Sequence, residues 1–283
     1  TMSFKKKSIP KNNLGTNRLK FRSLEKWLKW QEGLHFTAIE LGLERCRRVA
    51  NNMGLLNPPY NVISVAGTNG KGSSIILLDS ILRNSGYKIG RYTSPHLLRY
   101  NERICINGNE VEDAELCESF DRIDRARGDI SLTYFEFNTL AALIIFSHSD
   151  LDVVLLEVGL GGRLDAANII NCDVAVLTSI DLDHQQWLGD TRAKIAKEKL
   201  GIARANRPLI IGEKNHPEGF DGLVKETQAQ ALWLGQDFSF TENNQSFSIQ
   251  PKWHSQNSDF DALDNLSNQG LLAVNKTIAL QAL

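Results

Sequence analysis

Short apolar runs alternate along the chain with amphipathic stretches of helical period. The runs at residues 62–66, 151–158 and 172–180 are nearly continuous, which is typical of strands buried on both faces. Shorter runs of this kind lie at residues 87–92 and 208–212. Helical periodicity predicts the other elements, at residues 24–30, 39–53, 73–85, 112–127, 133–148 and 190–204. Strands that alternate with helices predict an α/β fold with a doubly wound, mainly parallel sheet.

Two stretches depart from this alternation and predict antiparallel strands. Residues 103–111 have the pattern of a hairpin, with Asn107-Gly108 at its turn. From residue 229 to residue 249 apolar and polar positions alternate between Asn and Gln turns, which predicts a small β subregion beside the main sheet.

The same patterns divide the chain into three segments. Residues 1–22 are basic and polar, and we expect a solvated or disordered tail rather than a binding arm. Residues 23–270 carry the strands and helices of one domain. A last helical pattern at residues 271–283 stops without a cap, which suggests a chain cut short.

Composition excludes several classes of function. The chain has 283 residues and a formal net charge of −1, so it offers no basic surface for nucleic acid or for a membrane. No apolar run is long enough to span a bilayer. The four cysteines are scattered without metal-ligand spacing, which favours free thiols in a reducing compartment. We therefore expect a cytoplasmic protein.

A glycine-rich segment, Gly67-Thr-Asn-Gly-Lys-Gly-Ser73, joins the first buried strand to the helix that follows. In such a loop, backbone N–H groups converge on a phosphate, the helix N-terminus adds a favourable dipole, and Lys71 adds a positive charge. The alternative is a plain glycine-rich turn. Because glycines, a lysine and hydroxyls coincide in this context, we interpret the segment as a nucleotide triphosphate site.

The loop differs from the common phosphate-loop pattern at two positions. That pattern has glycine where this chain has Val65, and Ser or Thr where it has Gly72. The hydroxyl that usually binds magnesium is therefore absent from its usual place. Either Ser73 replaces it, or residues elsewhere in the chain hold the metal.

Polar residues also follow the ends of other predicted strands. Ser94, Glu157 and His184 each lie at or just after a strand end, so they would gather on one edge of the sheet. Glu157 needs a charged partner, which in a phosphate-loop protein is Mg²⁺; the alternative is a carboxylate that caps the next glycine-rich loop. Since imidazole is a poor ligand for magnesium, chemistry alone favours Asp183 as the ligand and His184 as a phosphate contact.

Two further sets of polar residues remain open on chemistry alone. His35 lies between the first two predicted helices, where it either contacts a ligand or is a surface or capping residue. Lys194, Lys197 and Lys199 share one predicted helix, which would ordinarily be a solvated face.

Five motifs in order along the chain resemble one family, the bifunctional dihydrofolate synthase/folylpolyglutamate synthases of the Mur ligase superfamily. The resemblance runs from about Leu24 to the end of the chain. It rests on the glycine-rich loop together with Thr93-Ser-Pro-His96, Glu157-Val-Gly-Leu-Gly-Gly-Arg-Leu-Asp-Ala166, Leu182-Asp-His184 and Lys197-Glu-Lys-Leu-Gly201.

The resemblance implies roles for the residues of the expected sheet edge. ATP would be bound by Gly67, Thr68, Asn69, Gly70, Lys71, Gly72 and Ser73, with Asn275 on the adenine side. Magnesium would be bound by Ser94, Glu157 and His184, which replaces the preference for Asp183. Lys199 would be carbamylated by CO₂ and serve a second magnesium. The catalytic set would be Lys71, His184 and Lys199.

The resemblance also implies the segments that contact the pterin substrate. These are Gly33, Leu34, His35 and Phe36; Thr133, Tyr134, Phe135 and Glu136; and Leu164, Asp165 and Ala166. Phe135 is as well explained by a place in the apolar core.

The activity implied is the ATP-dependent joining of L-glutamate to dihydropteroate or to folates, through an acyl phosphate. Members of the family have a second α/β domain, and this sequence ends where the connection to it should begin. We therefore expect residues 271–283 to start that connection, and a monomeric chain that is weak or inactive alone. The competing hypotheses are a phosphate-loop hydrolase or kinase, and a non-catalytic nucleotide-binding fragment.

Overall fold

The computed structural model describes residues 19–243, 246–252, 262–267 and 269–283. Within these ranges the helices are α1 Leu24–Glu32, α2 Glu44–Asn52, α3 Lys71–Asn84, α4 Asp113–Arg127, α5 Tyr134–His148, α6 Gln185–Leu188, α7 Arg192–Leu200, α8 Phe220–Glu226 and α9 Ala273–Gln281. The strands are β1 Asn61–Ala66, β2 Ile89–Tyr92, β3 Ile104–Ile106, β4 Asn109–Glu110, β5 Val153–Glu157, β6 Val174–Leu177, β7 Pro208–Ile211, β8 Gln230–Trp233, β9 Ser239–Glu242, β10 Ser246–Gln250 and β11 Leu263–Ser267. Short 3₁₀ turns lie at Tyr100–Arg103 and Ala166–Ile169.

The main sheet has eight strands in the order β4-β3-β2-β5-β1-β6-β7-β8. The pairs β2 with β3 and β3 with β4 are antiparallel, and all other neighbours are parallel. β3 and β4 form the predicted hairpin. β1 lies between β5 and β6, with Val65 opposite both Glu157 and Val176. Every residue of β5 is buried, as expected for a strand covered on both faces.

Each face of the sheet carries a layer of helices. Along β1, Val62 and Ala66 pack into a core with residues of α1, α2, α4, α5, α7 and α8. Ile63 and Val65 point the other way, into a second core with α3 and α9. This alternation follows from the period of two along a strand, and it makes the sheet doubly wound.

An aromatic cluster closes the first core where α1 meets α4 and α5. Trp27 is fully buried, and its ring centroid lies 5.1 Å from Phe21 and 5.9 Å from Phe120. Lys20 adds a backbone N–H that donates to Asp121 at 2.9 Å. Lys20 and Phe21 therefore contact the domain within the segment that was predicted as a tail; residues 1–18 lie outside the described residues.

The C-terminal helix α9 is part of the second core. Ile278 and Ala279 are fully buried against α3 and the strands. The prediction that residues 271–283 only begin a connection misses this packing. A helix whose apolar side completes the core over α3 belongs to the domain.

Residues 229–249 are divided between two sheets. β8 joins the main sheet parallel to β7, while β9, β10 and β11 form the small antiparallel sheet. The predicted β subregion is thus present, but its first strand belongs to the main sheet. The sequence analysis missed α6, α8 and β11, whose short patterns carry little periodicity. None of the helices in the described ranges is both long enough and apolar enough to cross a membrane.

Candidate active site at the carboxyl edge of the sheet

The glycine-rich loop leaves β1 and enters α3 in a conformation that only glycine tolerates at two positions. Gly70 has a φ of +85° and precedes Lys71, the first residue of α3. A Cβ on Gly67 would overlap the hydroxyl of Thr178. No side chain caps the first turn of α3, so its backbone N–H groups face the loop. The loop and helix end together form an anion-binding site.

Lys71 folds back over the loop, where its ammonium donates to the carbonyls of Gly67 at 2.9 Å and Thr68 at 3.3 Å. A phosphate would offer a stronger acceptor than these neutral carbonyls. The loop therefore holds its cation close to the position that the phosphate would occupy.

The segment that follows β6 holds the loop in place. Thr68 donates its backbone N–H to the carbonyl of Ser179 at 2.9 Å, and Asn69 donates to the Ser179 hydroxyl at 2.9 Å. The Thr178 hydroxyl donates to the Asn69 carbonyl at 2.6 Å, and the Asp181 N–H donates to the Thr68 hydroxyl at 3.0 Å. These bonds preorganise the loop, so its shape does not depend on a ligand.

On one side of the loop lies a cavity of about 600 Å³ that we call the polar cavity. Asn275 of α9 forms part of its wall, so close that a Cβ on Gly70 would lie 2.5 Å from its Oδ1. Glu213 braces the opposite wall by accepting backbone N–H groups from Ile180 and Asn215, both at 2.8 Å. The lining residues are Asn69, Gly70, Thr178, Ser179, Ile180, Asp181, Arg192, Gly212, Glu213, Asn215, Leu272, Val274 and Asn275.

On the other side lies a cavity of about 380 Å³ that we call the apolar cavity. Its lining brings together the ends of several strands and the start of α5. The lining residues are Ala38, Ile39, Glu40, Leu41, Gly42, Lys71, Ser94, Pro95, Arg103, Thr133, Phe135, Glu136, Gly159, Leu160, Leu164, Asp165, Ala166 and His184.

Glu157 lies at the end of β5, behind Ser94. Its carboxylate is 5% exposed and accepts the backbone N–H of Ser94 at 3.0 Å. Burial raises its pKa, while that hydrogen bond and the positive charges of Lys71 and Arg103 oppose the rise. A buried carboxylate beside a phosphate loop is suited to a cation.

Two more titratable groups near this cavity are shifted by burial. Burial raises the pKa of Asp165 to about 7, against three backbone N–H groups that lower it. Burial lowers the pKa of Lys199 to about 8, helped by the charge of Lys71 and opposed by that of Asp183. A lysine with such a pKa has a larger neutral fraction at neutral pH than an exposed lysine.

No family model matches the chain. The Escherichia coli dihydrofolate synthase/folylpolyglutamate synthase is 50% identical over 227 residues, which are 80% of this chain and 54% of that protein. The E. coli FolC structure in complex with DHPP and ADP has 45% identity and a TM-score of 0.87, over 92% of this chain and 61% of that one. Over the matched residues, the chain is similar to the dihydrofolate synthase/folylpolyglutamate synthases.

A second structure of the dihydrofolate synthase/folylpolyglutamate synthase family agrees. The Yersinia pestis enzyme complexed with AMPPNP and Mn ion has 43% identity and a TM-score of 0.85, over 94% of this chain and 63% of that one. The chain thus spans about half the length of the curated relative it matches and about three fifths of the solved structures.

Most residues that the family resemblance points to meet at this edge of the sheet. Lys71, Ser94 and His184 line the apolar cavity, as do Thr133, Phe135, Glu136, Leu164, Asp165 and Ala166. Asn69, Gly70 and Asn275 line the polar cavity. Ser94 and Glu157 are joined by a hydrogen bond, and Lys199 is buried near Lys71. Asp183 lies outside both linings, with its side chain 42% exposed.

Five predicted pterin contacts do not line the cavity. Leu34 packs on the aromatic core, the His35 ring turns to Ser131 and Glu40, and Phe36 is 86% exposed. Gly33 ends α1, and Tyr134 packs edge-on against Tyr100. The lining instead begins at Ala38, because the chain turns outward at Phe36 before it returns to the cavity.

The residues present fit the predicted magnesium site. Across residues 19–243 and the shorter described ranges, no group of three or more His, Cys, Asp or Glu side chains could hold a metal ion. The predicted set contains only two such side chains, Glu157 and His184, beside the Ser94 hydroxyl. The buried carboxylate of Glu157 supplies the charge that magnesium prefers in a ligand.

Sequence reasoning missed several lining residues. Arg103 is 8% exposed and lies above the Tyr100 and Tyr134 rings at 5.8 and 5.9 Å. The helix predicted at residues 39–53 begins only at Glu44, so Ala38 to Gly42 have no regular secondary structure, and Glu213 follows a short strand. Thr133 and Glu136, which were predicted, form a capping box: Thr133 N–H donates to Glu136 at 2.8 Å and Glu136 N–H to Thr133 at 3.2 Å.

Proposed function

We propose that this chain provides the ATP and pterin sites of an ATP-dependent ligase. The ligase adds L-glutamate to dihydropteroate, which forms dihydrofolate, and to reduced folates, whose glutamate chain it extends. One observation carries the proposal: a preorganised phosphate loop separates a polar cavity from an apolar cavity lined by Lys71. A hydrolase needs water at its phosphate, whereas an activated carboxylate must be kept from water.

The reaction consists of two balanced steps. A carboxylate oxygen of the pterin substrate attacks the γ-phosphorus of ATP, and the bond to the bridging oxygen breaks, which releases ADP and leaves an acyl phosphate. The amine of L-glutamate then attacks the acyl carbon, expels phosphate and loses a proton, so that an amide forms. The polar cavity supports the first step by holding the nucleotide, with Asn275 at its base side.

The first step brings two anions together, so the site must offset negative charge. Lys71 and the N–H groups at the start of α3 are fixed donors for the transferred phosphoryl group. Magnesium held by Ser94, Glu157 and His184 would supply further positive charge. The apolar walls around Phe135 and Leu164 exclude water and strengthen these interactions.

For Lys199 we propose carbamylation by CO₂. Only the neutral amine reacts with CO₂, and the lowered pKa of Lys199 makes that form more abundant at neutral pH. The product is an anion that can serve a second magnesium. Carbon-13 NMR of the chain in labelled bicarbonate tests this: a carbamate signal that Lys199→Met removes is expected, and the same signal in both proteins contradicts the assignment.

One assay tests the ligase against its alternatives. ADP release is measured with ATP, Mg²⁺ and dihydropteroate, with and without L-glutamate, and products are separated by chromatography. Glutamate-dependent turnover with an amide product supports the ligase. Glutamate-independent hydrolysis favours a phosphohydrolase, a phosphorylated acceptor favours a kinase, and binding of nucleotide without any turnover favours a non-catalytic module.

We also propose a monomer in the cytoplasm that binds no nucleic acid. All four cysteines are free and buried, which suits a reducing compartment. The net charge of −1 offers no field that would attract nucleic acid. Analytical ultracentrifugation tests the first point, since a concentration-dependent dimer would contradict it.

A further inference from the structure

One wall of the apolar cavity has no regular secondary structure. Residues 38–42 lie between α1 and α2, and five consecutive residues of this segment line the cavity. Such a segment keeps its shape only if side chains and single backbone bonds hold it. At its end, Gly42 N–H donates to the Leu164 carbonyl at 3.3 Å, which ties it to a neighbouring wall.

A chain of charged groups ties the middle of this segment to the opposite wall. The His35 ring bonds to the Ser131 hydroxyl through Nδ1 and to Glu40 through Nε2 at 2.7 Å. Arg45 of α2 pairs through Nη1 with the other oxygen of Glu40. Its Nη2 donates to both oxygens of Glu136, at 3.2 and 3.3 Å.

Arg45 is therefore the link between two carboxylates on facing walls. Glu136 is 4% exposed at its side chain and lies in the first turn of α5, where Thr133 fixes it through the capping box. α2 is itself fixed to α5, since Cys46 is fully buried against the Glu136 carbonyl. The Arg45 guanidinium thus extends from α2, which is packed on α5, to Glu40 in the irregular segment.

Charge explains why an arginine is needed here. Glu40 and Glu136 both line the apolar cavity; Glu136 is buried and the Glu40 side chain is 35% exposed, so water screens their repulsion only in part. A planar guanidinium satisfies two carboxylates at once, which the compact ammonium of lysine does less well. The hydrogen bond from His35 and the charge of Arg45 lower the pKa of Glu40, so the pair is strongest when Glu40 is ionised.

We propose that Arg45 is a positioning residue that sets the width of the apolar cavity by holding Glu40 against Glu136. The nature of the occupant, a pterin that carries a carboxylate, rests on the proposed function. Without Arg45, Glu40 keeps the His35 bond and Glu136 keeps the capping-box N–H, but the two carboxylates lose the cation between them and the 38–42 segment moves away from α5. Arg45 lines neither cavity and makes no hydrogen bond to the phosphate loop, so nucleotide binding at the polar cavity is expected to be unaffected.

The test compares Arg45→Met with Arg48→Met, a matched change at an exposed residue of the same helix. Dihydropteroate affinity of Arg45→Met is expected to fall about tenfold or more, since a charge-assisted pair is removed and a carboxylate is left unpaired. AMPPNP affinity stays unchanged. Hydrogen–deuterium exchange of residues 37–43 becomes faster in Arg45→Met and not in Arg48→Met. Arg45→Lys keeps part of the dihydropteroate affinity that Arg45→Met loses. When Glu40→Gln is combined with Arg45→Met, the loss of dihydropteroate affinity is smaller than in Arg45→Met alone.

Other outcomes overturn the proposal or the function beneath it. Unchanged dihydropteroate affinity in Arg45→Met overturns the positioning role, even if exchange is faster. Loss of both affinities together also overturns it, because it indicates general destabilisation. A wild-type chain that binds AMPPNP but not dihydropteroate contradicts the proposed substrate. Hydrogen–deuterium exchange then decides the positioning role of Arg45: faster exchange of residues 37–43 in Arg45→Met supports it, and unchanged exchange overturns it.

Discussion

The two cavities beside the glycine-rich loop are built in opposite ways. The polar cavity is walled by residues whose side chains are already paired with backbone groups, such as Thr178, Ser179 and Glu213. The apolar cavity is walled by Ile39, Phe135 and similar side chains. It also collects titratable groups whose pKa values are shifted mainly by burial.

The difference shows that one loop borders two unlike cavities. Asn69 and Gly70 face the polar cavity, while Lys71, the next residue, faces the apolar one. A phosphate on the loop would therefore be bound from the polar cavity, and a group in the apolar cavity could approach it. The polar side favours binding through many weak contacts, and the apolar side favours chemistry that must exclude water.

Lys71→Ala should have the largest effect, because it removes the cation that is held over the phosphate loop. In an enzyme that also carries the second domain, we expect glutamate-dependent turnover to fall about 100-fold or more, as when a single transition-state donor is removed. AMPPNP affinity should fall as well. Lys194→Ala is the control, since that lysine is exposed and pairs with Asp190. Near-wild-type turnover and AMPPNP affinity in Lys71→Ala would contradict the role of Lys71 as a phosphate donor.

Lys199→Met tests whether burial of the Lys199 ammonium destabilises the folded chain. The pKa of Lys199 is lowered from 10.5 to about 8, so below pH 8 the folded chain must bury an ammonium that the unfolded chain exposes. The penalty is full below pH 8 and fades as pH rises toward 10.5. We expect the variant to be more stable by roughly 3 kcal/mol at pH 7 and by much less at pH 10.

Chemical denaturation in CO₂-free buffer measures this difference. Lys194→Met serves as the control, because its ammonium is 63% exposed at the side chain. A variant that is equally stable with wild type at both pH values would show that the burial of Lys199 costs nothing.

Gly70→Ala should damage the polar side alone. The residue has a φ of +85°, and its new Cβ would lie 2.5 Å from Asn275 Oδ1. We expect AMPPNP affinity to fall about tenfold, since strain and displacement of Asn275 each cost on the order of 1 kcal/mol. Dihydropteroate affinity should stay the same. Gly222→Ala is the matched control in α8, because its Cβ would meet open space.

Phe135→Leu should damage the apolar side alone, with the smallest effect. The ring lines the cavity and lies so close to Gly159 that a Cβ there would come within 2.6 Å of it. We expect dihydropteroate affinity to fall several-fold, about the cost of losing part of an aromatic contact. AMPPNP affinity should not change. Equal losses for both ligands would mean that the two cavities are not separate sites.

Much of the architecture follows from local patterns. The apolar runs at β1, β5 and β6 were long enough to identify buried strands, and the parallel sheet then required their carboxyl ends to converge. The prediction that Ser94, Glu157 and His184 share one edge came from this rule. Gly67 and Gly70 were recognisable because a phosphate loop needs backbone conformations that only glycine adopts.

Contacts between residues far apart in the sequence were decided by tertiary packing. Nothing in the local pattern placed Asn275 of α9 against Gly70, because the docking of α9 depends on the apolar surface that α3 leaves open. The same holds for Arg45, whose two partners lie in different elements. The pKa shifts of Glu157 and Lys199 also come from burial, which no local pattern measures.

The amino-acid sequence by itself determined the α/β sheet, the phosphate loop and the set of residues at its edge, because these depend on periodicity and on backbone conformation. Only the tertiary structure decided that the loop divides two cavities, and that the apolar cavity is lined by residues 38–42 rather than by residues 33–36. The reason is physical. A cavity is the space left between packed elements, and its walls are known only when the packing is known.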